Sequence, residues 1–367
     1  MINKRIKSMN VSGVRKMFEM ASKMKNPIDL SLGLPDFDVP DDVKKEAISS
    51  IKKGLNQYTQ TTGIKELKQK ILEKLRKENN IIAEEEQVIV TSAASGALSI
   101  VFTTIINEGD EIILFEPYFV AYKELIIQNG GVPVYARTKD DFSLDLEELK
   151  RKISNKTIAI VINSPNNPAG KVYTENELKN LAKIAAKYNL LIISDEIYEK
   201  FCYEKKYFSI GSIYPNTLTI NGFSKSHAMT GWRVGYVAGP KEIITEAIKV
   251  QQFNFVCAPT PFQYAAIKAF DSDITKHISE YKKKRDIIFN GLKKEYKIAK
   301  PEGAFYAFVK YPCNPEKFME NCIKNNLLVV PGSAFSQHNT HFRISFATKN
   351  ENLQKAIEIL NKIAKQK

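Results

Sequence analysis

Short apolar runs recur along the first two-thirds of this chain, near Val88, Ile112, Val134, Ala159, Ile192, Leu218 and Tyr236. Two of them, Thr157-Ile158-Ala159-Ile160-Val161-Ile162-Asn163 and Leu190-Leu191-Ile192-Ile193-Ser194-Asp195, are apolar at nearly every position. Strands buried on both faces read this way, because no position has to face water. Between the runs lie stretches of helical character, such as 94–107, 118–128 and 175–188. The last opens on Thr174-Glu175-Asn176-Glu177, whose hydroxyl and carboxylate spacing predicts a capping box. Strand and helix in alternation predict a mostly parallel, seven-stranded α/β sheet flanked by helices. Beyond about Phe262 the pattern changes to long charged helices around a few strands, including 304–309 and 342–346. No internal repeat, low-complexity segment or Gly/Ser linker interrupts this order.

Composition narrows the class without deciding the chemistry. At 367 residues and 43% hydrophobic content, the chain can bury a large core and is expected to form two domains. Cys202, Cys257, Cys313 and Cys322 show no C-x-x-C pairing, which fits a reducing, cytoplasmic compartment and offers no metal framework. His338 and His341 stand close together but have no further ligand beside them, so no metal site is expected. No apolar run approaches the ~20 residues of a membrane helix. Residues 1–25 are basic and mildly amphipathic but lack the unbroken apolar core of a signal peptide, so an ordered arm packed on the body is expected.

The formal charge of +13 raises nucleic acid as a partner. However, the lysines are spread along the chain. The densest run, Lys282-Lys283-Lys284-Arg285, has no interleaved aromatics and reads as the solvated face of a helix. No nucleic-acid partner is expected, although the charge would steer anionic dicarboxylates towards the protein.

The candidate chemistry lies where strands end. The run closing on Ser194-Asp195-Glu196-Ile197-Tyr198 places a carboxylate at the C-terminal end of a buried strand, where open α/β sheets bind ligands. The preceding strand runs into Ser164-Pro165-Asn166-Asn167-Pro168-Ala169-Gly170, a loop stiffened by prolines and carrying side-chain amides. A third strand leads to Asn221-Gly222-Phe223-Ser224-Lys225, followed by Met229-Thr230-Gly231-Trp232-Arg233. An amine meant for covalent chemistry needs a partly desolvated site that lowers its pKa. The arginine that follows offers a fork of donors to phosphate oxygens. Ala93-Ala94-Ser95-Gly96 stands between a strand and a helix, and its small residues would let backbone N–H groups approach an anion.

With these motifs in this order, the chain resembles the class I/II, fold-type I aminotransferases that use pyridoxal 5′-phosphate, in particular the short aspartate and aromatic enzymes of archaea and bacteria. The likeness extends over Ser12-Gly13-Val14-Arg15-Lys16-Met17-Phe18, Leu32-Gly33-Leu34-Pro35, Val329-Val330-Pro331-Gly332 and Phe342-Arg343-Ile344-Ser345-Phe346. It implies a fold-type I transferase with an N-terminal arm over 1–40, a large cofactor-binding domain over 41–262 and a small domain over 263–367. It also implies that Lys225 holds the cofactor as an imine and later moves the substrate proton. In the same way it implies that Asp195 faces the ring nitrogen, that Tyr198 and Asn167 face the ring's phenolic oxygen, and that Phe119 stacks on the ring. Ala94, Ser95, Ser224 and Arg233 would take the phosphate, together with Tyr58 from a second subunit, which makes a homodimer with shared active sites part of the expectation. Arg343 would grip the substrate α-carboxylate, with Asn167 and the backbone of Gly33 beside it.

Three departures stand out from the family pattern. Ala169 replaces a common threonine, Gly222 stands where many relatives have serine, and Ala93 replaces a common glycine. None removes a group needed for proton transfer. Among rival readings, an NTPase lacks any G-x-x-x-x-G-K-[ST] loop. A ligand-sensing regulator would carry a DNA-binding module ahead of the pattern, which here begins within the first few dozen residues. A C–S lyase on the same fold shares the ring-binding residues and stays open as the alternative. The expected reaction is a ping-pong transfer between an L-amino acid, aspartate or aromatic, and a 2-oxo acid, with 2-oxoglutarate as acceptor. Arg15 or Lys16 could bind a distal carboxylate; Phe18, Phe37 and Tyr118 could line an aromatic mouth.

Overall fold

The computed structural model describes residues 1–9, 11 and 13–366, without the side chains of Val14, Arg15, Lys16 and Phe18. The motif beginning at Ser12, and the proposed roles of Arg15, Lys16 and Phe18, therefore lie outside the described residues. The strands are β1 (Ile28–Asp29), β2 (Val88–Thr91), β3 (Glu111–Glu116), β4 (Val132–Arg137), β5 (Thr157–Asn163), β6 (Leu191–Asp195), β7 (Thr217–Gly222), β8 (Gly235–Ala238), β9 (Tyr306–Lys310), β10 (Leu327–Leu328), β11 (Val330–Pro331) and β12 (His341–Ser345).

Seven of these form one sheet in the order β2-β8-β7-β6-β5-β3-β4. Only β8 runs antiparallel to its neighbours in that sheet; the other pairings are parallel. The near-continuous apolar runs have a direct cause, since alternate residues of each strand feed opposite cores. Ile112, Leu114, Ala159, Val161, Leu191 and Ile193 pack on one face with the helices Ala93–Ile105 and Lys241–Asn254. Ile113, Phe115, Ile160, Ile162 and Ile192 pack on the other with the helix Glu175–Lys187. With both faces covered, a two-residue period carries no polar signal. The helix Glu175–Lys187 starts at the expected capping box, with the Thr174 side chain accepting from the Glu177 N–H and the Glu177 side chain from the Thr174 N–H.

A second sheet, β11-β12-β9, is antiparallel, and β1 pairs in parallel with β10. Leu30 joins a core built mainly from residues 281–364, so the N-terminal segment packs with the C-terminal part of the chain. Ile197, Tyr198, Phe201 and Tyr203, just beyond β6, enter the same core. They thereby bring the end of a central strand against the second sheet.

The basic run in the helix Thr275–Leu292 is only partly a solvated face. Lys282 and Lys283 are exposed, but Arg285 is 0% exposed, donates to the Pro301 carbonyl at 2.7 Å and pairs with Glu204 and Asp286. Helical periodicity turns every fourth residue of such a run inward, and a buried guanidinium persists there because acceptors meet it. Among the described residues, no helix is long and apolar enough to cross a membrane.

Candidate active site

Strands β5, β6 and β7 lie side by side, so their C-terminal ends deliver Asn163, Asp195 and Gly222 to one edge of the sheet. Asn163 organises this edge. Its amide donates to the Asp195 carbonyl at 2.9 Å and its oxygen accepts from the Asn167 N–H at 2.7 Å, which folds the Pro-Asn-Asn-Pro loop back over the strand ends. The Asp195 carboxylate, 4% exposed, accepts from the Tyr122 hydroxyl at 2.6 Å and from the Ile197 N–H at 3.2 Å. Burial pushes its pKa up, while Tyr122, the Ile197 N–H and the Lys225 charge oppose that.

Lys225 follows β7 by three residues and donates to the Gly33 carbonyl at 2.8 Å. Burial, followed by the nearby charges of Arg343 and Arg233, brings its pKa down to about 8 against the pull of Asp195. This is the desolvated, electropositive environment in which a lysine becomes a nucleophile near neutral pH.

The side of the cavity expected to take an anion is built by close backbone approach. Gly222 sits opposite Gly235 in the β7–β8 pair, and a Cβ on Gly222 would lie 2.9 Å from the Gly235 Cα. A Cβ on Gly235 would lie 2.7 Å from the backbone of Ala93 and Ala94. Gly222 thus lets the two strands approach and Gly235 lets the helix start approach them, and a serine at 222 would not fit without displacing backbone. Ala93 itself has φ +60° and Arg233 φ +59°, a left-handed conformation that costs a non-glycine residue and is concentrated at functional sites. Ser92, the N-cap of the helix Ala93–Ile105, makes no side-chain capping bond. The helix N-terminus thus faces the cavity with its dipole uncapped, beside Arg233, whose Nη1 donates to the Thr230 carbonyl at 2.8 Å.

Arg343 comes from β12 and is buried. Its Nη1 donates to Asn167 Oδ1 at 3.0 Å and its Nη2 to the Ser31 carbonyl at 2.5 Å. The guanidinium lies over the rings of Tyr306 and Phe335, with centroids at 4.6 and 4.8 Å. Its Nε is buried with no hydrogen-bond partner.

These groups enclose a cavity of about 770 Å³. Lys225, Asp195, Tyr198, Asn167, Phe119, Ala94, Ser95, Ser224, Arg233, Gly33 and Arg343 all line it. Tyr58 does not; it stands 82% exposed on a loop elsewhere on the surface. Two expectations for an aromatic mouth fail. Phe37 stacks on His277 at 3.9 Å, and Tyr118 is buried against Tyr135 and bonded to Gln337, so neither is among the lining residues. The helix there begins one residue after Phe119, which leaves Phe119 facing the cavity and turns Tyr118 inward.

Sequence reasoning missed Asn163, Tyr122, Tyr306 and Glu19, which bind or line the site. Asn163 carried a signal, since it is a polar residue ending an apolar strand, just as Asp195 is. Tyr122 lies one helical turn beyond Phe119, a spacing that places it on the same face. Tyr306 sits within an apolar strand and has no local signal.

Comparison with known proteins bears on what such a site does. The family model for aminotransferase class I and II matches residues 25–360. The aspartate aminotransferase of Pyrococcus abyssi is 37% identical, over 99% of this chain and 98% of its own length. The aromatic-amino-acid aminotransferase 2 of Thermococcus litoralis is 36% identical, over 100% of this chain and 99% of its own. The solved structure of the aspartate aminotransferase from Thermus thermophilus with maleate superposes with a TM-score of 0.95 at 35% identity, covering 99% of each chain. A match of this length to the family and a fold shared throughout make the chain a member of the class I and II aminotransferases, and hence a transaminase.

Proposed function

We propose that the protein moves an amino group from an L-amino acid, aromatic side chains included, to a 2-oxo acid, with 2-oxoglutarate as acceptor, in a ping-pong cycle supported by pyridoxal 5′-phosphate. The observation that carries this reading is the convergence of Lys225, Asp195, Arg233 and Arg343 on one cavity with an uncapped helix N-terminus. The donor set suits the cofactor. The helix start at Ala93-Ala94-Ser95, Ser224 and Arg233 would hold its phosphate, Asp195 its ring nitrogen, Tyr198 and Asn167 its phenolic oxygen, and Phe119 its ring face. The unpartnered Arg343 Nε leaves a buried donor for a substrate carboxylate.

When bound, the cofactor supplies an electron sink for the bonds at the substrate Cα. The chain supplies the rest. Arg343 binds the α-carboxylate by charge-assisted hydrogen bonds, worth roughly 1.5–3 kcal/mol each, and thereby orients Cα towards Lys225. The Lys225 amine, whose burial favours the neutral form, would take the Cα proton and hand it to the adjoining carbon of the cofactor within the first half-reaction, and would carry a proton the opposite way in the second. The bonds from Tyr122 and the Ile197 N–H and the charge of Lys225 favour the anionic form of Asp195 against its burial, and the anion would favour a protonated ring nitrogen.

The lining supports acceptance of an apolar side chain. Leu32, Leu34, Leu98 and Val120 surround the cavity, and the acidic side chain among the described lining residues besides Asp195 is Glu19. A homodimer belongs to the same reading, because Tyr58 and Phe253 are 82% and 86% exposed, large apolar side chains that a second copy would cover. So does the division into an arm over 1–40, a large domain over 41–262 and a small domain over 263–367, which the joint core of Leu30 with residues 281–364 supports. A cytoplasmic location is part of the proposal as well.

The test is an absorbance spectrum of the purified protein before and after single amino acids are added. A visible band that bleaches with particular donors supports the assignment and names the donor class. A persistent band with release of pyruvate or ammonia would point to a lyase instead.

A further inference from the structure

We propose that Tyr306 is a positioning residue that ties the carboxylate-binding Arg343 to the phenol of Tyr198, its ring serving the first and its hydroxyl the second. This inference rests on the functional reading above and adds to it a residue with no assigned role. Tyr306 is 1% exposed on β9, which pairs with β12 so that Arg343 stands opposite Phe308. Tyr306, two residues before Phe308, therefore shares the face of Arg343 as its diagonal neighbour. Its ring centroid lies 4.6 Å from the guanidinium carbon, and that of Phe335 lies 4.8 Å from it. A buried guanidinium packed on aromatic rings loses freedom to tilt, and its plane sets the direction in which a carboxylate is met.

The hydroxyl has a separate partner. It lies 2.9 Å from the Tyr198 hydroxyl, and either oxygen can donate. Once Tyr198 donates to an acceptor in the cavity, only its lone pair remains for Tyr306, which must then be the donor. A phenol that receives a hydrogen bond becomes a stronger donor itself, because buried hydrogen bonds in a chain polarise one another. The same hydroxyl abuts Gly33, where an added Cβ would collide with it. Gly33 also holds Lys225 through its carbonyl. One side chain thus touches the carboxylate arginine, the phenol and the segment that holds the reactive amine.

A core aromatic with no further duty would be replaceable by phenylalanine without consequence, as the packing against Phe305 suggests at first sight. The experiment separates the two halves of the side chain in the cofactor-loaded protein. It compares Tyr306→Phe and Tyr306→Leu by two readouts. One is the Kd of 3-phenylpropionate, a carboxylate that has no amine to react, measured by calorimetry. The other is the pH midpoint of the visible absorbance band.

Tyr306→Phe is expected to leave the Kd within about twofold of the parent and to raise the midpoint by about a few tenths of a pH unit, since a weaker Tyr198 donor leaves the titrating group more basic. Tyr306→Leu is expected to raise the midpoint equally and to weaken 3-phenylpropionate roughly 5–30-fold. Equal weakening by both variants, or a midpoint that moves in neither, would overturn the proposal. Should the leucine variant fail to fold, the phenylalanine variant decides alone, since it keeps the ring: a raised midpoint with unchanged Kd supports the proposal and any other pair of results overturns it. A parent protein with no visible band would instead strike down the functional reading, and this proposal with it.

Discussion

The Tyr122 hydroxyl donates to Asp195 Oδ2 at 2.6 Å, deep beneath the cavity and across 73 residues of sequence. This bond and the Ile197 N–H favour the carboxylate form against burial, which pushes the Asp195 pKa up. Tyr122→Phe removes it while keeping the ring. A hydrogen bond to a charged group is worth roughly 1.5–3 kcal/mol, so kcat should fall by about tenfold or more and cofactor retention on dialysis should weaken. An unchanged kcat would show that Asp195 is anionic without this partner.

Lys225→Ala should purify with normal circular dichroism and show no turnover, because the amine proposed to move the proton is gone while the hydrogen bond lost is the one to the Gly33 carbonyl. Near-parental activity in that variant would remove the central assignment. Asp195→Ala should lose most of its rate and keep part of its cofactor, since the groups proposed to hold the phosphate are untouched.

The depressed pKa of Lys225 predicts a pH profile with a defined sign. In cofactor-free protein, labelling of Lys225 by an amine-reactive reagent should rise through about pH 8 rather than the 10.5 of an ordinary lysine. Between those values the unfolded chain binds the proton that the folded one has released, so this group makes stability rise with pH from about 8 to 10.5. Removing a nearby cation by Arg343→Ala should raise the labelling midpoint. Peptide mapping across pH reads both, and a midpoint near 10.5 in the parent would contradict the burial argument.

Arg343→Lys keeps the charge but loses the planar fork that serves Asn167, Ser31 and a substrate carboxylate together. Losing one charge-assisted bond raises KM for every amino acid donor, roughly ten- to a hundredfold. A KM change limited to a single donor would mean that Arg343 reads the side chain instead.

Gly222→Ser tests the close approach of β7 to β8. The added Cβ would meet the Gly235 Cα at 2.9 Å and the Val234 carbonyl at 3.0 Å, both backbone atoms that cannot swing away. Overpacking of this kind costs typically about 1–3 kcal/mol, visible as a lower denaturant midpoint with an unchanged slope. An equally stable variant would show that the strands can part.

What the chain declared by itself were features with a local cause. The apolar runs, the Thr174–Glu177 cap and the polar residues ending strands each depend on a few neighbouring positions and on the fixed periods of strand and helix. Lys225, Asp195, Asn167 and Arg233 were legible for that reason, being strand-end or loop residues. Tertiary structure alone decided that Tyr306 meets Tyr198 across 108 residues and that Gly222 is held by Gly235. It also decided that Arg285 turns inward from a basic run and that Phe37 packs on His277 rather than lining the cavity. Such pairings depend on which strands become neighbours and at what register, and a one-residue slip would point each side chain to the opposite face. No window of sequence contains that information, because it arises only when the whole sheet is assembled and its two faces are covered.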